Sequence, residues 1–343
     1  MSRTSRTRLA AAVVMLVAGA CLAGLVGRSG SMHAAEAATL PHLCNSYRGL
    51  PEGFGSQARA GMVRVPAGTV RLGSDQGYSE EQPTGESLHV DAFWIDRTEV
   101  TNAQFSAFVD ATGYVTGAER EGAAAVFQAP RADHGVLRDG EWWVWRQGAN
   151  WRRPQGVASN AAAKPNEPVV LVTHADAIAY ARWLGRDLPS EAEWEYAAQG
   201  GGSAEQIDRE PRDAQGHPTA NYWQGIFPDL NATEDGYATL APVGCFAANG
   251  YGLFDVIGNV WELTRDRYTG SHQPHGNGDP VASIRQAGAA SRRGEQVVIK
   301  GGSFLCARSY CLRYRTTARQ PQEADMSTSH VGFRTVLRGP TGS

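Results

Sequence analysis

Asn249-Gly250-Tyr251-Gly252-Leu253-Phe254-Asp255-Val256-Ile257-Gly258-Asn259-Val260-Trp261-Glu262 gathers two carboxylates, two asparagines and three glycines in one short run. Asp255, Gly258, Asn259 and Glu262 fall within eight residues. Carboxylate and carbonyl oxygens this close together suit a hard cation such as Ca²⁺. The same residue types also serve as helix caps and turn formers. A cation here would crosslink loops that have little hydrogen-bonded ladder of their own.

The rest of the chain has the same loop-rich character. Its 343 residues include 40 glycines, nine tryptophans and eleven tyrosines, with only 20% charged residues. Large aromatics filling gaps between irregular segments suit a globular domain and exclude a disordered chain or a coiled coil. Met62–Gly73 predicts two short strands around a Pro-Ala-Gly turn, residues 74–87 a loop, and His89–Asp96 a strand. Thr101 or Asn102 caps a helix carrying Ala103, Phe105, Phe108 and Val109 at helical spacing, ended by Gly113. Residues 114–160, with Trp142, Trp143, Trp145 and Trp151, predict short strands and loops. A second helix starts at Thr173. Ser190 caps a third, with Glu193 completing a capping box. Residues 199–240 predict loop. With no short internal repeat and no low-complexity linker, the simplest organisation is one compact domain over 61–338, with an irregular lead-in over 39–60.

The N-terminus predicts export. Arg3, Arg6 and Arg8 precede an apolar run from Leu9 to Val26, and Ala35-Glu36-Ala37 offers a small-x-small cleavage site. Residues 1–38 therefore predict a secretory signal or an N-terminal anchor, and a periplasmic or extracellular location. Cys21 follows a poor lipobox. The membrane enters only through this segment, if it is uncleaved or lipidated. Removing it would move the formal charge from −3 to −6. That balance argues against nucleic-acid binding, which needs a basic face.

Cysteines carry the sharpest chemistry. Cys306 and Cys311 sit in Gly301-Gly302-Ser303-Phe304-Leu305-Cys306-Ala307-Arg308-Ser309-Tyr310-Cys311-Leu312-Arg313-Tyr314-Arg315. This spacing is too wide for a thioredoxin-like pair, and no second pair completes a zinc site. A regular strand would point the two sulfurs to opposite faces. A loop could join them, as a disulfide or around a soft metal such as Cu(I). Oxidising surroundings favour pairing. If Cys306 and Cys311 belong to a site, Cys44 and Cys245 remain to pair. The alternative to that bridge is that Cys44 or Cys245 is a buried free thiol.

Four segments together resemble the formylglycine-generating enzymes, or sulfatase-modifying factors. They are Phe93–Asn102, Leu188–Tyr196, Asn249–Glu262, and Gly301–Arg315 with Val331-Gly332-Phe333-Arg334 behind it. The likeness spans about residues 60–338. The first three segments are common to a wider superfamily and imply its fold, a single compact α+β domain poor in regular structure and related to C-type lectins. The paired-cysteine motif points to the oxidase.

The resemblance implies conversion of a cysteine in a Cys-x-Pro-x-Arg segment of an unfolded sulfatase to formylglycine, with molecular oxygen as oxidant. It implies Cys306 and Cys311 as Cu(I) ligands, with Ser303, Tyr310 and Trp261 lining the reaction site. Ser303 could hydrogen-bond oxygen or water, and Tyr310 could orient the neighbouring thiolate. It implies one calcium site from Asp255 and Glu262 side chains with Val256, Gly258 and Val260 carbonyls. A second would use Asn221 and Asp235 with the Tyr222 and Tyr237 carbonyls. Asp255 stands where asparagine is frequent, and His330 likewise. Arg308 and Arg313 are expected to be structural or substrate-facing.

Two other readings fit the composition. One is a lectin-like binding module stapled by Cys306–Cys311, and the other an iron-dependent oxygenase of the same superfamily. The nine histidines are scattered with no H-x3-H pair, which weighs against iron. An exported modifier also needs substrates that reach its compartment unfolded.

Overall fold

The computed structural model describes residues 43–339, except 84, 131–137, 158, 160–161, 203–210, 271 and 273–293. The expected targeting segment over 1–38 lies outside the described residues. No helix among the described residues is long and apolar enough to cross a membrane.

In chain order the elements are β1 (Met62–Val65), β2 (Gly68–Val70), β3 (Leu88–Val90), β4 (Phe93–Asp96), α1 (Asn102–Thr112), α2 (Gly117–Glu121), β5 (Ala123–Phe127) and β6 (Trp143–Gln147). Then come α3 (His174–Trp183), α4 (Glu191–Gln199), β7 (Gly225–Ile226), β8 (Leu230–Asn231) and β9 (Trp261–Arg267). The last are β10 (Gln296–Lys300), β11 (Arg319–Glu323), β12 (Val331–Gly332) and β13 (Val336–Arg338). The fold is α+β, with short elements and long connections.

The four α-helices among the described residues begin with the same device. Thr101, Thr116, Thr173 and Ser190 each accept from the backbone three residues on, and Gln104, Glu119, Asp176 and Glu193 return the bond. α1 ends at Gly113 in the left-handed conformation, as its sequence predicts.

Strand pairing departs from the local expectation. β1 and β2 flank the Pro-Ala-Gly turn but do not pair with each other. β1 pairs with β4 and β2 with β3. The single strand expected over His89–Asp96 is two strands, because Val90 faces Gly68 in one sheet while Phe93 faces Val65 in another. The 74–87 loop contains one turn of 3-10 helix, Ser79–Glu81. Residues 114–160 add α2 to the strands expected there.

Two sheets organise the domain, a three-stranded one in the order β1-β4-β13 and a four-stranded one in the order β11-β10-β9-β12. Trp261, Leu263, Val297 and Ile299 from β9 and β10 are buried with Phe105, Phe108, Tyr180 and Phe333. Each such side chain contributes roughly 1.5–3 kcal/mol by leaving water. β9 and β10 are antiparallel, with Glu262 opposite Lys300. This places the start of β9, where the Asp255 turn ends, beside the end of β10, where the cysteine loop begins. Residues 301–318 are therefore the long connection of the β10–β11 hairpin, whose last rung is Lys300 opposite Arg319.

Candidate active site

Gly301 and Gly302 open the cysteine loop with φ of 91° and 82°. A side chain at Gly302 would meet the Arg313 carbonyl oxygen at 2.3 Å, so the loop closes on itself only with glycine there. Cys306 and Cys311 are free thiols with Sγ atoms 3.2 Å apart. Cys306 is 1% exposed, whereas Cys311 is half-buried. The two sulfurs share a proton unequally. Burial, reinforced by the contact with Cys311, pushes the Cys306 thiol well up. The hydrogen bond from Cys306 favours the Cys311 thiolate, against its own burial and with help from the Arg313 charge. Arg313 Nη1 lies 4.0 Å from that sulfur.

Arg313 is itself held firmly. It pairs with Glu80, and its guanidinium lies 3.9 Å from the Tyr78 ring centroid. Arg315 forks onto Glu81 at 2.6–2.9 Å. At the mouth of the loop, Lys300 and Arg319 stand opposite one another as like charges, an arrangement that needs a counter-charge. Glu191 supplies it, at 3.4 Å from Lys300 Nζ and 2.8 Å from Arg319 Nε. Glu195 meets Lys300 at 2.7 Å. Among the described residues, Glu191, Glu195 and His272 group closely enough to hold a metal, but the Lys300 ammonium already binds both carboxylates. Nothing in the sequence analysis singled these groups out. The available signal was a lysine ending the apolar run Val297–Ile299.

The expected site residues divide. Trp261 is buried in the same cluster as Cys306. The Ser303 backbone N–H points at Cys306 Sγ, 3.4 Å away, while its hydroxyl accepts from Leu305 N at 3.3 Å. Tyr310 does not orient a thiolate. It is 47% exposed, and its hydroxyl donates to Asp139 at 3.0 Å. Its ring stacks on Phe227 at 4.7 Å and meets the edge of Trp142 at 5.1 Å, forming an aromatic shelf beside Cys311. His330 is half-buried, its Nδ1 atom is buried without a hydrogen-bond partner, and burial of the ring lowers its pKa to about 3. Its carbonyl accepts from Trp261 N at 2.9 Å.

The two expected calcium sites adjoin the loop. Asn259 N donates to Asn221 O at 2.8 Å, and Phe304 N donates to Asn259 O at 2.9 Å. A Cβ on Gly258 would lie 2.2 Å from Asn221 O, so glycine permits this approach. At the second expected site the Gln224 side-chain amide donates to both the Tyr222 carbonyl and Asp235 Oδ2, the latter at 2.8 Å. Asp235 accepts from Tyr222 N at 3.1 Å and from Tyr237 N at 2.9 Å. Asn221 Oδ1 is buried without a hydrogen-bond partner, as a waiting cation ligand would be. At the first site Asp255 Oδ2 accepts from Gly244 N at 2.6 Å, and Oδ1 is buried without a partner. Glu262 corrects the expectation. Its oxygens each take a 2.6 Å bond from Arg334, and Trp194 Nε1 adds another at 2.7 Å. It neutralises a buried guanidinium instead of facing a turn.

Cys44 and Cys245 form a disulfide, 201 residues apart in sequence. Tyr237 Oη donates to Cys245 Sγ at 3.1 Å. The bridge thus ties the start of the described chain to the turn that carries Gly244. We expect the paired Cys44→Ala, Cys245→Ala variant to lose about 2–4 kcal/mol in urea denaturation, since so long a loop restrains the unfolded chain strongly. An unchanged midpoint would show that the bridge is energetically idle.

Comparisons with known proteins give the chain's relatives. A family model described as the sulfatase-modifying factor enzyme 1-like domain matches residues 48–338. A Mycobacterium tuberculosis protein named formylglycine-generating enzyme is 46% identical over 302 residues, covering 82% of this chain and 99% of that one. A mouse protein of the same name is 38% identical over 327 residues, covering 93% and 86%. A second mouse relative, named inactive C-alpha-formylglycine-generating enzyme 2, is 36% identical over 284 residues, covering 80% and 84%. Among solved structures, PvdO from Pseudomonas aeruginosa matches with a TM-score of 0.50 at 25% identity, covering 80% of this chain and 93% of that one.

Proposed function

This chain belongs to the sulfatase-modifying factor family, and we propose that it is an exported, copper-dependent formylglycine-generating oxidase. Its substrate is an unfolded sulfatase segment of the form Cys-x-Pro-x-Arg. The observation that carries the reading is the open thiol pair, Cys306 and Cys311 at 3.2 Å, in a chain that closes its other described cysteines as a disulfide. Two adjacent sulfurs, one buried and one reachable, form a soft donor set that suits Cu(I).

When bound, copper supplies the one-electron chemistry with dioxygen that side chains alone lack. The protein's own groups do the rest. Cys306 anchors from the buried side, and Cys311 faces the incoming thiol. Arg313 stabilises the Cys311 thiolate, while Glu80 and Tyr78 hold the guanidinium in place. Trp261 and its buried neighbours keep water from the inner side. The shelf of Tyr310, Phe227 and Trp142 receives apolar parts of the peptide. The substrate methylene loses a hydrogen, the resulting thioaldehyde is hydrolysed, and sulfur leaves as hydrogen sulfide. The substrate gives up two electrons, and a reductant supplies the other two that dioxygen takes. Calcium would hold the Asn221–Asp235 cluster and the Asp255 turn against the cysteine loop.

The test is direct. Purified protein, Cu(I), oxygen and a thiol reductant are mixed with a Cys-x-Pro-x-Arg peptide, and products are followed by mass spectrometry and hydrazide trapping. We expect an aldehyde at the cysteine. Copper binding without an aldehyde would reject this substrate motif. Neither copper binding nor an aldehyde would leave a lectin-like binding module, in keeping with the relative named inactive.

A further inference from the structure

Ile226 and Leu230 are two large aliphatic side chains that the core does not use. They face each other across the β7–β8 pair and are 60% and 58% exposed. Residues directly opposite in an antiparallel pair put their side chains on one face. Other residues supply the packing of this hairpin, since Trp223 and Phe227 are buried with Phe304 and Leu305.

The hairpin is fastened to the cysteine loop from both strands. Trp223 N donates to Cys306 O at 2.9 Å, and Trp223 Nε1 donates to Leu230 O at 2.8 Å. Ser309 Oγ accepts from Phe227 N at 3.0 Å and donates to Gly225 O at 3.2 Å, so it bonds both chain neighbours of Ile226. Ser309 is two residues from Cys311, a chain length of about 7 Å at most. The pair is thus held at a fixed place near the reachable thiol.

Exposed large apolar side chains are ordinary when scattered singly. Here four of the ten among the described residues, Ile226, Leu230, Tyr310 and Leu312, lie on these two fastened segments. Tyr310 and Leu312 flank Cys311 in the chain, so the apolar patch is continuous with the thiol's surroundings. A peptide that brings its sulfur to Cys311 passes beside it. Two aliphatic side chains are far too little for a stable contact between copies, which buries about 800 Å² on each. They match one or two apolar side chains of an extended peptide.

We infer that Ile226 and Leu230 form a specificity subsite for apolar side chains outside the Cys-x-Pro-x-Arg core of the substrate. The subsite adjoins the aromatic shelf, because Phe227 directly follows Ile226 and stacks on Tyr310. The inference rests on the substrate reading proposed above and adds which residues around the core are favoured.

The experiment reads binding without turnover. Fluorescent peptides carry serine in place of the reacting cysteine, in a Ser-x-Pro-x-Arg core, with either leucines or glutamines on both flanks. Anisotropy gives their affinity for the purified protein. The leucine-flanked peptide is expected to bind about 10-fold more tightly. That preference should vanish in the double variant Ile226→Ser, Leu230→Ser and persist in Ile226→Leu, Leu230→Ile. Equal affinity of the two peptides for the unaltered protein would overturn the subsite, and this comparison needs no variant to fold. A preference that survives in the serine variant would overturn it too, because other residues then read the flanks. Binding of neither peptide would overturn the substrate reading together with the subsite. A dimer seen in sedimentation of the unaltered protein and lost in the serine variant would assign the pair instead to a contact between copies.

Discussion

Replacing either Cys306 or Cys311 by alanine should abolish formation of the aldehyde and leave a folded protein. The expected loss exceeds about 100-fold, since even partners outside the ligand shell cost up to that much at metal sites. Both sulfurs sit on one loop, 3.2 Å apart, so neither can be replaced by a neighbour. Copper binding should fall with activity in both variants. The variants should differ in another respect. Cys306 packs in the main buried cluster, so its loss also leaves a small void, whereas Cys311 is half-buried. Cys306→Ala should therefore melt slightly lower than Cys311→Ala. Turnover retained in either variant would remove the thiol pair from the mechanism. Loss of turnover with cooperative unfolding also lost would recast the pair as structural.

The largest effect on stability should come from Lys300→Met. Its ammonium is fully buried and bonds Glu195, Glu191 and the Thr317 carbonyl. Breaking a buried pair leaves an uncompensated charge and costs about 3–5 kcal/mol. That lowers the melting temperature by about 10 °C for a domain of this size. Burial pushes the Glu195 carboxyl up even with Lys300 beside it, so without Lys300 it should take a proton. Adding Glu195→Gln to Lys300→Met should recover part of the loss, because glutamine still accepts from Gly73 N, now 2.8 Å from Glu195. The effect reaches the cysteine loop, since Lys300 opens it and Arg319 closes it around the same Glu191. Differential scanning calorimetry decides the matter. A shift below about 2 °C would mean that water or a rearranged Arg319 compensates the carboxylates.

The starts of the three expected helices were legible because their signals are local, whereas the short helix Gly117–Glu121 was not expected. Thr101 and Gln104, or Ser190 and Glu193, lie three residues apart and act on each other. The strands were legible as extended runs but not as pairs. Val90 and Phe93 are close in sequence yet belong to different sheets, because their partners come from elsewhere in the chain. Tyr310 stands next to Cys311, but the short spacing said nothing of direction. Its ring turns to Phe227 and Trp142, and its hydroxyl to Asp139.

The sequence by itself determined the family, the single α+β domain, the helix caps and the paired cysteines, all carried by residues adjacent in the chain. Tertiary structure alone decided which groups balance which charges. Glu262 reads as a ligand beside Asp255 until Arg334, 72 residues on, claims both its oxygens. Glu99 lies in one of the four family-like segments, but only the fold brings Asn259 to it, across 160 residues. A buried charge is stabilised by whatever opposite charge the fold brings within a few ångströms. Distance along the chain carries no information about that.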